Sequence, residues 1–431
     1  MLIQPLIPLS RIATEAAITF QDDHPAAREV VMAITYMRDQ FRKTGKLVFD
    51  AHKLNEIFQR TMKLTVRFNL DPSTRENAWV LVPQIDKQHP LVNKWRRYYA
   101  TNSDGVASVR WGGEGVAGEV DLEKAELKGF YTKLVSQINI TQGALTRPTL
   151  TDREVAALIM HEVGHIFTYF IMLGQMDTTC YILTGFVRDV IGAKEPATKA
   201  KLFTELKANT GIDVTKNAAV VNATNADALS VLLLSEVSNE TRSEFGSSLF
   251  DARSWEALSD QFAARMGFSR DLATALSKIM KQHEPIAYRS TFVYLMLELA
   301  KTFFIIISLA LPLVGQVSGF TLLAVLLMAA SPVDREYDKP GERITRLRKE
   351  LVAQLKDPTQ PKARTEALLA DIKAIDAIES KIKDRETFHE MAWNFVFPYA
   401  RRQRDIRQEL QQLENLVNND LFVSAGQLRT A

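Results

Sequence analysis

Residues 158–170 read LIMHEVGHIFTYF, and their reading decides how the rest of the chain is understood. His161 and His165 are four residues apart, so on a helix both imidazoles leave one face, one turn from each other. Glu162 stands beside the first histidine, where its carboxylate can reach a water held between the rings. Two neutral nitrogen ligands, an open coordination position and a carboxylate to take a proton form the arrangement of a hydrolytic zinc centre. By residue frequencies alone, H-E-x-x-H arises by accident in about one chain in a hundred of this length. The motif therefore needs a second half elsewhere in the chain.

Upstream of the tetrad, Thr151 as cap, Asp152 in the first turn and Glu154 three residues after the cap form a helix-start signal. Before it, LTVRFNL, AWVLVPQI, GVASVRW and GEVDLEKAEL read as short strands separated by Asp71-Pro72, Asp104-Gly105 and Gly112-Gly113. The run QINITQGAL completes a sheet that leads into the histidine helix. Residues 1–63 have helical apolar spacing, and His24, His52 and His89 sit in polar surroundings that predict surface positions. Downstream, 166–187 is apolar apart from Asp177 and reads as a buried helix pair, with membrane contact as the alternative. Residues 194–250 suggest packed helices with loops and no assignable chemistry.

The second half is found at 254–278, SWEALSDQFAARMGFSRDLATALSK, read as one amphipathic helix. Glu256 and Asp260 are one turn apart on the same face. Glu256 can supply the third metal ligand that two histidines still lack, and Asp260 can accept a hydrogen bond from a ligand imidazole and orient it. A solvent-facing acidic pair is the competing explanation. His283, in QHEP, is the other candidate ligand along the chain, without a partner carboxylate one turn on.

HEVGH followed by E-x-x-x-D resembles the gluzincin peptidases typified by the CAAX prenyl protease and the bacterial heat-shock membrane protease. The resemblance covers 137–170 (QINITQGALTRPTLTDREVAALIMHEVGHIF and the residues that follow), 254–278 and, more weakly, YDKPGERITRL at 337–347. It departs from the pattern in two places: Ser259 replaces the usual Ala before the aspartate, read as harmless, and the late His-Pro is absent. The resemblance implies a zincin-like α+β fold, mainly helical, with a small sheet above the HExxH helix. It implies one zinc ion per chain held by His161, His165 and Glu256, Asp260 as partner of a ligand ring, and Glu162 as general base in the hydrolysis of peptide bonds. The strand Ile138, Asn139, Ile140 and Thr141 is expected to bind a protein or peptide substrate as an added strand. A metallopeptidase-like module kept for binding or assembly, without turnover, is the alternative, and the presence of Glu162 argues against it.

Between Lys301 and Asp334 there is no charged residue and no histidine. TFFIIISLALPLVGQVSGFTLLAVLLMAASPV exceeds the 20 or so apolar residues of a membrane span and is broken at Pro312, Gly315 and Gly319. If ERITRL belongs to the peptidase domain the chain must return to the same side, which predicts a hairpin inserted in a lipid bilayer; a buried hairpin in a soluble protein is the alternative. The expected organisation is a helical region at 1–63, a zincin-like metallopeptidase domain at 64–300, the hydrophobic hairpin at 301–334 and a helical arm at 335–431 packing on the domain. His389 and the stripe Arg401, Arg402, Arg404 and Arg407 on that arm carry no metal or nucleic-acid expectation.

Composition bounds the rest. The 431 residues carry a net charge of +2 and 46% apolar residues, a balance that gives no nucleic-acid-binding field. Cys180 is the sole cysteine, so a cysteine-based zinc site and intrachain disulfides are excluded, which fits a reducing, cytoplasmic compartment. The first residues lack the basic-then-apolar order of a secretory signal.

Overall fold

The computed structural model describes residues 18–83, 118–210, 218–233, 252–283 and 340–382, apart from 21–22, 227 and 231, together with a few positions between 85 and 93 and residue 296. By its internal contacts the chain divides into two units, Met1–Phe268 and Ser269–Ala431. Both are mainly helical, and two small sheets lie in the first.

The first unit opens with α1 (Pro25–Thr44) and α2 (Ala51–Met62). Pro25 sits in the first turn of α1, where its missing N–H is not needed, and Gly45 ends the helix at φ 68° with its N–H on Phe41 O. Ala26, Ala27, Val30, Ile34 and Met37 are buried at helical spacing. His24 departs from the surface expectation. It is 7% exposed and caps α1: Nδ1 accepts from Ala26 N–H at 3.2 Å, and Nε2 lies 3.3 Å from Lys124 O. His52 is on the surface beside Glu56 as expected, and the half-buried His89 lies edge-on to Phe130.

Strands β1 (Thr65–Asp71), β2 (Ala78–Leu81) and β5 (Val135–Thr141) form one sheet in the order β1-β5-β2. β1 runs parallel to β5 from Thr65↔Val135 to Asp71↔Thr141, and β2 is antiparallel to it from Ala78↔Ile140 to Leu81↔Gln137. Val66 and Phe68 alternate inward, and Phe68 stacks on Phe58 of α2 at 5.7 Å, so the helices cover this face. GEVDLEKAEL folds as a hairpin of β3 (Glu119–Asp121) and β4 (Glu126–Lys128). GVASVRW lies outside the described residues. After β5 comes the short α3 (Gln142–Thr146), where a β-carbon on Gly143 would meet Thr74 O at 2.2 Å; only glycine lets the turn after β1 lie there.

Helix α4 (Asp152–Gly192) begins at the expected capping box, Thr151 with Glu154. It corrects the helix-pair reading of 166–187: the helix is continuous over 41 residues, about 60 Å at 1.5 Å per residue. Its glycines each disfavour helix by only about 1 kcal/mol. Val155 to Phe170 and, further on, Phe186, Val187 and Val190 are buried in apolar surroundings, which outweighs that. The first half is the core of the unit; the second places Phe186, Val187 and Val190 in a satellite cluster with Phe203 and Leu206 of α5 (Pro196–Thr210), Val220 of α6 (Ala218–Val221), Leu229 and Leu233. Among the described residues one stretch, Asp152–Gly174, is long and apolar enough to cross a membrane, and 89% of its apolar window is buried inside the protein.

Residues 254–278 do not form one helix. α7 (Ala252–Ala263) runs into a wide turn, Ala264–Phe268, in which Gly267 adopts φ 84°. That left-handed conformation suits glycine and ends the helical path.

The second unit holds α8 (Ser269–His283), α9 (Pro340–Leu355) and α10 (Lys362–Glu379), packed through Leu272 and Leu276, Ile344, Leu347 and Leu351, and Leu368, Ile372 and Ile375. ERITRL is part of α9. Arg270 pairs with Asp371 and Arg348 with Asp376 across these helices. The apolar block 301–334, His389, the arginine stripe and the expected boundaries at 300 and 334 lie outside the described residues.

Candidate metal centre

The centre is assembled where α7 crosses α4. At residues 161 and 165 the two rings lie 4.7 Å apart and nearly perpendicular, at 79°. Glu256 reaches across from α7: Oε2 is 3.3 Å from His161 Nε2 and Oε1 is 3.5 Å from His165 Nε2. The three residues are 5–7% exposed, and their ligand atoms fall within 4.8 Å of one another. Tetrahedral bonds of 2.0–2.2 Å place ligand atoms about 3.3–3.6 Å apart, so both separations suit donors around one ion. The buried group His161, His165 and Glu256 can hold a metal ion.

The same distances are also those of imidazole–carboxylate ion pairs, which require protonated rings. Burial lowers the pKa of His165, as does the neighbouring His161, against the opposing effect of the Glu256 hydrogen bond and of the Asp260 charge. His165 is therefore held toward the neutral form, the form that binds metals. Asp260, 1% exposed, places Oδ1 3.0 Å from His161 Nδ1, a close approach whose N–H alignment falls short of a full hydrogen bond. The 3.3 Å approach of Glu256 Oε2 to His161 Nε2 is met either by a proton on that nitrogen or by a metal ion bound to both atoms.

The expected residues thus separate. His161, His165, Glu256 and Asp260 converge, and Glu162, 7% exposed, is buried on the same turn of α4. His283 is the last residue of α8, and its side chain lies outside the described residues. The substrate-strand expectation needs correction. Ile138, Asn139, Ile140 and Thr141 belong to the central strand β5, paired with β1 on one side and with β2 or Asn77 on the other. A strand with both edges paired cannot accept another. β2, beside it, packs against α4.

Sequence reasoning passed over three positions. Ser259 Oγ stands 2.7 Å from His165 Nδ1, at the residue read as a harmless replacement. Trp255 stacks on the His165 ring, with centroids 6.1 Å apart and planes 20° apart. Gly164 lets α7 approach: a β-carbon there would meet Ser259 Cα at 2.8 Å. The signal for the serine was its place three residues after Glu256, on the face that must meet α4.

No family model, curated protein or solved structure matches this chain.

Proposed function

We propose that the protein is a zinc-dependent endopeptidase, a gluzincin in the order and spacing of its motifs. The observation that carries this reading is the approach of the His161 and His165 Nε2 atoms to the two oxygens of Glu256, with the Glu162 carboxylate buried on the same turn. Two imidazole nitrogens and one carboxylate oxygen form a donor set typical of catalytic zinc, which leaves a position open. Bound there, zinc supplies Lewis acidity toward a peptide carbonyl and acidifies a water toward neutrality.

The chain's own groups do the rest. His161 and His165 bind as neutral rings, and Asp260 takes the Nδ1 side of His161 and fixes how that ring faces. Glu162 accepts a proton from the attacking water and returns it to the departing amine. Its burial withholds bulk water from that transfer. Protein or peptide is the substrate class, in a reducing compartment, and the apolar block 301–334 tethers the chain to a bilayer.

A second reading has one observation in its favour: the imidazole–carboxylate contacts at 3.3 and 3.5 Å also serve as ion pairs in a module without metal or turnover. Metal content of the full-length protein, with cleavage of an unfolded protein before and after chelation, separates the two. One zinc per chain and chelator-sensitive cleavage that Glu162→Gln abolishes support the peptidase. A metal-free protein with unchanged folding after chelation overturns it.

A further inference from the structure

We propose that Ser259 is a positioning residue for His165: its hydroxyl oxygen accepts the Nδ1–H of that ring, which turns the Nε2 lone pair toward the metal position. The inference rests on the reading of the centre as a metal site and extends it to the residue that distinguishes the two ends of the histidine pair.

A hydroxyl has one hydrogen to donate and two lone pairs to accept with. Ser259 Oγ makes two contacts, 2.9 Å to Trp255 O on its own helix and 2.7 Å to His165 Nδ1 on the facing one. A carbonyl oxygen only accepts, so the 2.9 Å contact with Trp255 O is a hydrogen bond when the serine hydrogen lies on it. The remaining contact must then be donated by His165. A neutral ring protonated at Nδ1 carries its lone pair on Nε2, the atom 3.5 Å from Glu256 Oε1.

The hydrogen bonds therefore run in one direction, from His165 on α4 to Ser259 on α7 and on to the α7 backbone. Trp255, stacked at 20° on the same ring, holds its face while Ser259 holds its edge. His161 is held differently, by the Asp260 carboxylate at 3.0 Å. The centre thus has one ring backed by a charge and one backed by a neutral hydroxyl. Ser259 is 0% exposed, so water has no access to replace the hydroxyl once it is removed. An alanine at 259 keeps the close helix crossing but leaves the Nδ1–H without an acceptor, the substitution that the sequence alone suggested was neutral.

The test uses the full-length protein and zinc alone, titrated against a competing chromophoric chelator. Ser259→Ala is expected to weaken zinc affinity about 10- to 100-fold, the range for loss of a group that orients a ligand. Ser259→Cys, similar in shape and a weaker acceptor, is expected to fall between the two. In the zinc-loaded protein, long-range proton–nitrogen NMR reads each ring separately. Ser259→Ala should shift the His165 Nδ1–H signal and leave that of His161 in place, because Asp260 is untouched. Wild-type affinity in Ser259→Ala overturns the proposal, as does equal movement of both ring signals, the mark of a loosened helix crossing. If Ser259→Ala does not fold, Ser259→Cys decides: affinity equal to wild type overturns the assignment. A wild-type chain that takes up no zinc refutes the metal reading itself, and does so before any variant is made.

Discussion

Gly164 on α4 and Ser259 on α7 lie so close that a β-carbon at 164 would stand 2.8 Å from the Ser259 α-carbon and 2.9 Å from its carbonyl oxygen. Both are backbone atoms, so no rotamer change relieves the clash; the helices themselves must part. Their separation sets whether Glu256 and Asp260 reach the histidines. Gly164→Ala is expected to destabilise the fold by about 1–3 kcal/mol, as overpacking does, and to weaken zinc binding with it. Among the described residues, a β-carbon at Gly174 on the same helix meets only Tyr131 Oη, at 3.4 Å, and Gly174→Ala is expected to stabilise by about 0.5–1 kcal/mol from helix propensity. Thermal melting of the two variants should move in opposite directions; a destabilised Gly174→Ala with an unperturbed Gly164→Ala would refute the crossing argument.

Glu162 and His161 are neighbours with different tasks, and two substitutions separate them. His161→Ala removes a ligand and should lose zinc and cleavage together. Glu162→Gln keeps the shape and the ligand set, so zinc should stay at wild-type stoichiometry while turnover falls to background. Equal zinc loss in both variants, read by metal analysis, would show that the roles are misassigned.

Chelation distinguishes the metal centre from a buried set of ion pairs. A ligand that binds only the folded state stabilises it by RT ln(1 + [L]/Kd), about 4 kcal/mol at a thousandfold excess over Kd. Removing zinc should therefore lower the melting temperature, and returning it should restore it. If the contacts of His161 and His165 with Glu256 were ion pairs alone, chelator would leave the melting curve where it was.

What the chain disclosed about itself follows the range of each signal. The capping box at Thr151 and Glu154, the i,i+4 histidines and the i,i+4 pair Glu256 and Asp260 are relationships within one or two turns, so they were legible. The central place of β5 was not, because Ile138 to Thr141 read identically at an edge or in the middle. Only the pairing with β1 and β2, tens of residues away, settles it. Ser259 is a small residue whose task exists only because Gly164 brings another helix against it. Its bond to His165 joins positions 94 apart. The break at Gly267 was available in principle, since an isolated glycine in a helical pattern is where positive φ can enter. His24 before Pro25 was available too, as a cap position before a first-turn proline, but histidine is an uncommon cap and its polar neighbours pointed outward.

That buried cap gives a pH dependence. One neutral tautomer of His24 satisfies both contacts, with Nδ1 accepting from Ala26 N–H and Nε2–H donating to Lys124 O. A second proton would face the Ala26 N–H, and burial lowers the folded pKa below the unfolded value of about 6.5. The unfolded chain then binds the proton more readily, so stability is fully present above about pH 6.5 and is lost as pH falls toward the folded value. His24→Asn keeps a capping side chain and cannot titrate; its stability should fall less steeply than wild type between about pH 7 and 5. His24→Ala should lose about 1 kcal/mol at neutral pH. Denaturant unfolding across this range checks both, and parallel curves for wild type and His24→Asn would remove His24 from the acid response.

Arg38 on α1 is 3% exposed and donates into the segment that joins β5 to α4. Nη1 bonds Ala144 O at 3.2 Å, Nη2 bonds Arg147 O at 2.9 Å and Leu150 O at 2.7 Å, and Nε lies 2.9 Å from Asp152 Oδ1. One planar fork thereby reaches three carbonyls between β5 and α4 and a carboxylate at the start of the histidine helix. Arg38→Met leaves the Ala144 and Leu150 carbonyls without this donor, at about 1–3 kcal/mol for a buried group left unsatisfied, while Asp152 keeps its pairing with Arg42 at 2.8 Å. Arg38→Lys should recover little, because an ammonium is a compact donor that cannot reach acceptors spread around a guanidinium. His161 and His165 lie more than two turns beyond Asp152 and are held by α7, so the folded fraction of either variant should keep one zinc per chain. Urea unfolding and metal stoichiometry measured on the same samples test this: a stable variant that has lost its metal would show that Arg38 acts on the centre and not on the loop.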